Sequence, residues 1–496
     1  MTGVLAAQET ARPVRRTWLP GPQTLVLLAA AVAGARLGLR SISDNSTLVH
    51  LRTGLELIRS GHVPRSDPYS FTAPGHAWTV QSWLASLVYG AADRVGGHVL
   101  VAVQGVVMAA TAVVIALLGR STTAVRSGIA ATIAIAASAP GWSPRPLMFG
   151  LLCLALVILV TERDAHPAWL IPVVWVWVNT HGSYPLGLAW LGARAIGEAI
   201  DLWGWPRRTL IHVGGFVSGL AVALLNPLTW RLLVFPFVAL QKRPTFQGIV
   251  EWRSPNFQSG NSFVALVFIA LGLAVLLRAR LTWADTLPII GFLALGLVAE
   301  RNLAPLGIVM APALGRALGQ FGATPVPATP AWVSRGGDVA VRVGRSTAWR
   351  AVVVVAVVLA LAGLLVRSAS QRALNLSGYP VAAVDHLAAE GRLGPAHRIA
   401  SVDVVGCFLI WRAGPATKVF IDDRYDMYPV SVVDDATTLG DARGGEQAVL
   451  DKYDVDTVLW SANGVLPGAL LSAGRWRVDY RDSTWVVLVR SSAPRP

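Results

Sequence analysis

The chain has 496 residues, of which 54% are hydrophobic and only 14% are charged. A soluble protein of this length would carry about 25% charged residues, so the composition excludes a soluble enzyme and predicts a polytopic membrane protein. The net charge of +14 does not indicate a nucleic-acid partner, because the sequence has no basic stripe with interleaved aromatic residues. The basic residues lie largely in short loops, where they indicate contact with anionic membrane lipids.

Apolar segments recur through the first three quarters of the chain and predict about eleven transmembrane helices. No convincing small-residue cleavage site follows the first segment, so we expect it to be retained as a span rather than removed as a signal peptide. The expected spans are 24–40, 99–118, 123–139, 147–161, 168–179, 184–200, 209–225, 262–279, 283–299, 303–318 and 350–367.

The arginines of alternate loops give the expected orientation, because short cytoplasmic loops carry an excess of basic residues. Arg12, Arg15 and Arg16 place the amino terminus in the cytoplasm. An odd number of spans then places the carboxyl-terminal part outside the membrane. We therefore expect a multi-pass protein of the inner or plasma membrane with an extracytoplasmic carboxyl-terminal domain.

Shifts in composition predict five parts of the chain. These are a cytoplasmic amino terminus (1–23), a transmembrane domain (24–318) with a large first outer loop (41–98), a Pro-, Ala- and Gly-rich cytoplasmic linker (319–349), the last span (350–367) and an extracytoplasmic α/β domain (376–496).

The last part alternates helix-like and strand-like segments, which is typical of an α/β domain. "VAAVDHLAAEG" predicts a helix that ends at glycine, whereas "RIASVDVVGCFLIWR" and "TKVFIDDRYDMY" predict strands. "EQAVLDKYDVDTVLW" predicts a helix that runs into a strand, and "RWRVDYRDSTWVVLVR" predicts two final strands. Cys153 and Cys407 lie in different parts of the chain, so we predict neither a disulfide nor a zinc-binding spacing.

The predicted topology gathers polar and aromatic residues on the outer face, whereas the inner loops carry mostly basic anchors. Ionisable residues at span ends that face one side indicate a functional site. The outer-face set is Asp44, His50, Asp67, Trp83, Arg145, Asn179, His181, Glu251, Arg253, Glu300 and Arg301.

Two interpretations stay open for the residues of the first outer loop. Asp44 precedes an apolar stripe from Leu48 to Ile58, so it fits a helix N-cap, and this role is compatible with that of a general base. The stripe itself is typical of a helix lying on the membrane surface. His50 fits a histidine satisfied by a neighbour, and Trp83 fits an interface aromatic or a residue that stacks on a sugar.

The later outer loops leave similar alternatives. Arg145 fits a lipid-headgroup anchor or a cation that binds phosphate, because guanidinium geometry suits phosphate. His181 fits a satisfied residue at a helix end. Glu251 with Arg253, and Glu300 with Arg301, each fit a plain ion pair. The acids of "IDDRYDMY" fit a polar loop after a strand better than a metal site.

The first outer loop, "DNSTLVHLRTGLELIRSGHVPRSDPYSFTAPGHAWTVQSWLASLVY", resembles the opening loop of the GT-C superfamily of membrane glycosyltransferases. The resemblance is to bacterial members of the protein mannosyltransferase and lipid A glycosyltransferase-like group. Further matching segments are "RPLMFG", "WVWVNTHGSYPLG", "EWRSPNF", "ERNLAP", "VGCFLIWR" and "KVFIDDRYDMY". The matching loop positions are Asp44, His50, Thr53, Gly54, Gly61, Pro64, Asp67, Pro68, Ser70, Trp78, Trp83 and Leu84.

This resemblance implies a GT-C-like helical membrane domain and a polyprenyl-phosphate sugar as donor. The leaving phosphate is weakly basic and needs cations rather than an acid, whereas the attacking hydroxyl must lose a proton to a base. Asp44 is the expected general base, and direct attack would invert the anomeric carbon. Arg145, Arg301 and His181 are the expected phosphate-binding residues, and the expected substrate-binding residues are His50, Asp67, Trp83, Asn179 and Glu251.

The acceptor implied by the resemblance is a glycan, lipid or protein of the cell envelope. The sequence indicates no certain cofactor, and a divalent metal is the one candidate left open. Ser46 and Ser82 replace acids that relatives often carry, which argues against dependence on a divalent metal. Two rival functions remain: a transporter of a lipid-linked sugar, which should carry polar residues deep in several spans, and a catalytically inactive envelope-assembly protein.

Overall fold

The computed structural model describes residues 20–246, 249–321 and 338–491. The described chain is mostly helical, and a small sheet lies near its carboxyl end. The arginines that give the predicted orientation, Arg12, Arg15 and Arg16, lie outside the described residues, as does most of the predicted linker. The helices before residue 181 are α1 (Pro22–Gly38), α2 (Asn45–Ser60), α3 (Trp83–Val95), α4 (Gly97–Leu118), α5 (Ala124–Ser138), α6 (Leu147–Glu162) and α7 (Leu170–Thr180).

The next helices complete the membrane-domain part of the chain. They are α8 (Pro185–Leu202), α9 (Arg207–Val222), α10 (Arg231–Gln241), α11 (Gly260–Leu276), α12 (Trp283–Val298), α13 (Leu303–Gln320) and α14 (Asp338–Ser370). Each of the eleven predicted spans coincides with one of these helices. The start of α14 lies within the segment predicted as a linker, and α3 and α10 are helices that we did not predict.

Two described helices, Gly97–Leu118 and Trp349–Ser370, are long and apolar enough to cross a membrane, and six shorter helices are also apolar. The two helices differ in packing. In the most apolar stretch of Gly97–Leu118, 61% of the residues are buried inside the protein, whereas in that of Trp349–Ser370 only 6% are buried. Large apolar side chains are exposed on several other helices, including Phe237 on α10 and Phe263 on α11. Such surfaces are typical of helices that face lipid.

The first outer loop folds into two closely packed helices, α2 and α3. Asp44 caps α2, and the helix ends at Gly61 with a left-handed φ of 72°. A Cβ atom on Gly54 would lie only 1.9 Å from the carbonyl oxygen of Ser86, so glycine allows the two backbones to touch. The apolar stripe is buried by protein at Leu48 and Leu51, while its position relative to a membrane remains a prediction.

The carboxyl-terminal part is a small α/β unit. Its four-stranded sheet has the order β1-β2-β4-β3, with β1 parallel to β2 and the other pairs antiparallel. The elements are α15 (Val381–Ala389), β1 (Ile399–Ala400), α16 (Asp403–Ala413), α17 (Val430–Asp441), α18 (Glu446–Lys452), β2 (Thr457–Ser461), α19 (Val465–Ser472), β3 (Trp476–Arg481) and β4 (Trp485–Arg490).

Two strand predictions in this unit are wrong. "RIASVDVVGCFLIWR" forms a two-residue strand followed by helix α16, whose residues 405–410 are all buried. A short, wholly buried apolar run carries no periodicity that separates strand from helix. "TKVFIDDRYDMY" forms isolated bridges at Val419 rather than a strand. The predicted helix in "VAAVDHLAAEG", the helix and strand in "EQAVLDKYDVDTVLW" and the two final strands are confirmed.

Candidate active site

Several helix ends that the sequence predicts to lie on the outer face meet at a chain of three charged residues. Asp44 caps α2 by accepting a hydrogen bond from the N–H of Thr47 at 3.2 Å through Oδ1, which confirms the N-cap. Its Oδ2 accepts from Nε of Arg145 at 2.8 Å. Arg145 also pairs with Glu251 through Nη1. One arginine is therefore shared between a carboxylate of the first outer loop and a carboxylate before α11.

The loop that carries Arg145, between α5 and α6, is fixed to the first outer loop. The carbonyl oxygen of Pro144 accepts hydrogen bonds from the hydroxyls of Thr47, at 3.2 Å, and Tyr89, at 2.8 Å. Thr47 lies on α2 and Tyr89 on α3, so both helices hold this loop. The proximity of Asp44 and Arg145 is thus set by neighbouring contacts and not by their own ion pair alone.

Arg145 remains charged in this setting. Burial lowers the pKa of Arg145, but Asp44 and Glu251 raise that pKa well above its ordinary value in total. A guanidinium with five donors can bind both acids and still offer N–H groups to a further oxygen.

Arg301 is the second arginine of the site and is held differently. Its Cζ atom lies 4.5 Å from the ring centroid of Trp252, which in turn stacks on Phe246 at 4.5 Å. Within residues 20–246, 249–321 and 338–491, Arg301 has no ion pair with a carboxylate. Burial and the nearby Arg145 lower the pKa of Arg301, while Glu251 raises it. A cation over an aromatic ring without an acid partner is suited to receive an external anion.

Both arginines border one cavity of about 200 Å³. Glu300 also faces it, and its carboxylate accepts a hydrogen bond from the hydroxyl of Ser262 at 2.5 Å. The walls between these groups are apolar. The lining residues are Asp44, Ala137, Pro140, Gly141, Ser143, Arg145, Leu147, Glu251, Ser262, Ala265, Glu300, Arg301 and Leu303.

The two predicted site histidines are not among the residues that line this cavity. His50 bonds through Nδ1 to the hydroxyl of Ser86 at 2.8 Å, and burial together with Arg145 lowers its pKa to about 4. Nδ1 of His181 accepts from the N–H of Ser183 at 3.2 Å, and burial, Arg301 and His50 lower the pKa of His181 to about 3. A neutral His181 whose Nδ1 accepts this hydrogen bond carries its proton on Nε2.

The remaining predicted site residues join parts of the fold and do not line the cavity. Nε1 of Trp83 donates to Oδ1 of Asn179 at 2.8 Å, and the Asn179 amide donates to the carbonyl oxygen of Trp175 at 2.7 Å. Asp67 is buried and pairs with Arg424 at 2.8 Å. These contacts tie the first outer loop to α7 and to the carboxyl-terminal unit.

Two residues near the cavity, Trp252 and Ser262, were absent from the predicted outer-face set, whereas Glu300 belonged to that set without an assigned role. Trp252 directly follows Glu251 in the sequence, and this position was the available signal. Ser262 carried no signal, because serine is common at helix starts. Within the described part of the chain, no cluster of three or more histidine, cysteine, aspartate or glutamate side chains could hold a metal ion.

Comparison with solved structures finds the same fold in ArnT from Cupriavidus metallidurans. Its apo structure is 16% identical to this chain, covers 95% of this chain and 98% of that chain, and has a TM-score of 0.50. The structure of ArnT bound to undecaprenyl phosphate is 17% identical with the same coverage and a TM-score of 0.48. Neither a family model nor a curated protein matches the sequence.

The similarity to apo ArnT extends over nearly the whole of both chains. This protein therefore has an ArnT-like fold. An identity of 16% leaves the chemistry to be argued from the cavity itself.

Proposed function

We propose that this chain is a membrane glycosyltransferase that moves a sugar from a polyprenyl-phosphate donor to an acceptor of the cell envelope. The observation that carries the proposal is the cavity at which Asp44, bound to Arg145, meets Arg301, a cation with no carboxylate partner among the described residues. One carboxylate and one available cation are what this transfer requires. The ArnT-like fold supports the proposal.

The proposed reaction is a single displacement. An acceptor hydroxyl attacks the anomeric carbon, the bond from that carbon to the phosphate oxygen breaks, and the polyprenyl phosphate leaves with the electron pair. The hydroxyl proton passes to Asp44, whose oxygens keep free lone pairs despite the contacts to Thr47 and Arg145. Direct attack of this kind inverts the sugar configuration.

The charges of the cavity suggest a division of labour. Arg301 holds the leaving phosphate, and Arg145 adds positive charge while it orients Asp44. Glu251 balances Arg145 and faces the cavity, where it orients the acceptor. His181 donates a hydrogen bond at the edge of the site. His50, Asp67, Trp83 and Asn179 shape the first outer loop and thereby the entrance to the cavity.

The proposed placement follows from this chemistry. A lipid-carried donor reaches a site at the membrane surface with its tail in the bilayer, which fits about eleven spans in an inner or plasma membrane. The cavity then lies on the extracytoplasmic face together with the carboxyl-terminal unit, and the amino terminus lies in the cytoplasm. The acceptor is a glycan, a lipid or a protein of the envelope.

The test compares wild type with Asp44→Asn in membranes supplied with a panel of polyprenyl-phosphate sugars and envelope extract. Asparagine caps a helix about as well as aspartate, so the fold should be kept while the base is lost. We expect release of polyprenyl phosphate by wild type and a loss of roughly 100-fold or more in the variant. The control is Asp441→Asn, an exposed aspartate at the end of α17.

Equal release by wild type and Asp44→Asn would remove Asp44 from the chemistry. Absence of release with every donor, in folded protein, would favour a non-catalytic envelope-assembly protein. Movement of an intact lipid-linked sugar across the bilayer without release of the lipid phosphate would favour a transporter.

A further inference from the structure

A short segment of the carboxyl-terminal unit, residues 417–428, which we call the tail segment, lies against the first outer loop. The N–H of Phe71 donates to the carbonyl oxygen of Val419 at 3.1 Å, and the N–H of Val419 donates to the carbonyl oxygen of Tyr69 at 2.9 Å. The hydroxyl of Thr72 donates to the carbonyl oxygen of Phe420 at 2.6 Å. The tail segment thus pairs through its backbone with the first outer loop, which also carries Asp44.

A buried ion cluster fixes the tail segment against this loop. Arg424 pairs with Asp67 at 2.8 Å and with Asp422 at 2.6 Å, and both acid side chains are fully buried. The same guanidinium lies 4.5 Å from the ring centroid of Trp78, and the hydroxyl of Tyr428 donates to Asp422 at 2.7 Å. Removal of either partner of such a buried pair is strongly unfavourable, so the register of the segment is firmly set.

The tail segment also holds the loop that carries Glu251. Nζ of Lys242 donates to the carbonyl oxygen of Asp426 at 2.6 Å. The hydroxyl of Thr245 lies 3.5 Å from the carbonyl oxygen of Tyr425. One segment therefore contacts both the loop that carries Asp44 and the loop that carries Glu251.

Asp423 projects from the tail segment towards the start of α2. Its Oδ2 accepts a hydrogen bond from the side-chain amide of Asn45 at 3.3 Å, and its N–H donates to Sγ of Cys407 at 3.4 Å. Asn45 is the first residue of α2 and directly follows Asp44. We propose that Asp423 is a positioning residue through which the carboxyl-terminal unit holds the start of α2 and places a negative charge beside Asp44, an inference that rests on the proposed glycosyl transfer.

Asp423 is also electrostatically coupled to the site. Burial, Asp422 and Asp44 raise the pKa of Asp423 to about 7, although Arg145 opposes them. The carboxylate is therefore mostly neutral below neutral pH and charged above it. The groups that face Asp423 are Asn45, Asp44, Arg145, Cys407, Asp422, Tyr379 and Tyr425.

The charged form should favour the reaction. Ionised Asp423 accepts the hydrogen bond from Asn45 and adds a negative charge near Asp44, which favours proton transfer to Asp44. Glycosyl transfer by wild type should therefore rise as the pH passes upward through about 7. We expect a rise of roughly threefold to tenfold.

The first arm of the test measures this pH profile in Asp423→Asn. The amide oxygen still accepts from Asn45 but cannot titrate, so we expect the variant to stay near the low-pH rate of wild type, without the rise. Asp426→Asn is the matched control, because Asp426 lies in the same segment with its pKa raised by burial to about 6. It should keep the rise, and a rise retained in Asp423→Asn would overturn the proposal.

The second arm does not depend on catalysis. Infrared titration follows the protonated carboxyl band that is lost in Asp423→Asn. Because Asp44 raises the pKa of Asp423, Asp44→Asn should move the midpoint of this band to lower pH. An unmoved midpoint would overturn the proposed coupling. If wild type transfers no sugar while the midpoint moves, the proposed function fails and the coupling between Asp423 and Asp44 stands.

Discussion

Two clusters of charged side chains lie at opposite ends of the same helices, and they are built differently. Helix α6 has Arg145 two residues before its start and Glu162 as its last residue, while α13 has Arg301 before its start and Arg316 near its end. We call the end that carries Arg145 and Arg301, which borders the cavity described above, the outer end, after the predicted topology. The opposite end, called the inner end, is a closed network.

In the inner network, three acids surround two arginines. Glu162 accepts from Arg194 at 2.5 Å and from Arg316 at 2.7 Å. Asp285 accepts from Nε of Arg316 at 3.0 Å, and Arg194 lies 3.5 Å from Glu198. The network links α6, α8, α12 and α13. Both arginines thus have carboxylate partners within the protein, so this cluster needs no ligand.

The outer cluster lacks that closure. Asp44 and Glu251 both bind Arg145, whereas Arg301 lies over the ring of Trp252 and forms no ion pair with a carboxylate of the described residues. Burial of a charge without a partner is costly, and such a cost is kept where the charge has a function. The candidate site therefore differs from a purely structural ion-pair network, which we call a structural lock, in having an arginine available to a ligand, and not in its number of charges.

The largest expected effect comes from removing the available cation. Arg301→Gln should lower the rate of glycosyl transfer roughly 100- to 1,000-fold, because a positioned donor to developing negative charge contributes about this much. The unfolding temperature should stay close to that of wild type, since Arg301 pairs with no acid in the described residues. Transfer assays and thermal unfolding in detergent check both values.

The control for this change is Arg278→Gln, an exposed arginine just after α11. It should leave transfer unchanged. If Arg301→Gln instead unfolds the protein and keeps its activity per folded molecule, Arg301 belongs to a structural lock and the contrast between the clusters disappears.

A substitution in the inner network should lower the stability of the protein and leave the rate of transfer unchanged. Glu162→Gln leaves Arg194 and Arg316 with fewer acid partners, so the free energy of unfolding should fall by about 3 kcal/mol. The rate of transfer per folded molecule should not change, because Glu162 ends α6 on the side away from Arg145. Denaturant unfolding and transfer assays measure the two quantities, with the exposed Glu390→Gln as control.

The smallest effect concerns His181. Because its pKa is lowered to about 3, the imidazole is neutral from about pH 5 to 8 and contributes no inflection there. His181→Gln should lower transfer by roughly tenfold, as expected for one lost neutral hydrogen bond, and leave the shape of the pH profile unchanged. A change of that shape would show that His181 acts as a cation in the wild type.

Local patterns in the sequence were enough for much of the helical framework. The apolar run at 99–118 is the long helix α4, and Asp44 before the stripe at Leu48 is the N-cap of α2. Both depend on neighbouring residues alone. Segment "RIASVDVVGCFLIWR" failed because a wholly buried run contains no polar face to give its period.

The site could be predicted only in part, because it depends on contacts between residues that are far apart in the sequence. Asp44 and Arg145 are about a hundred residues apart, and the topology placed them on one face without fixing which acid meets which arginine. Trp83 and Asn179 were predicted to bind substrate, yet they bond to each other. The inner network was missed because Glu162 and Asp285 look like isolated acids until α6 and α12 are brought together.

The double role of Asp44 has an evolutionary consequence. Its Oδ1 starts helix α2 while its Oδ2 faces the cavity, so the beginning of the fold and the proposed chemistry share one side chain. Asparagine preserves the first role and removes the second. A single-nucleotide change could therefore turn a transferase of this fold into a stable non-catalytic scaffold without any unfolded intermediate, and the reverse change could restore the enzyme.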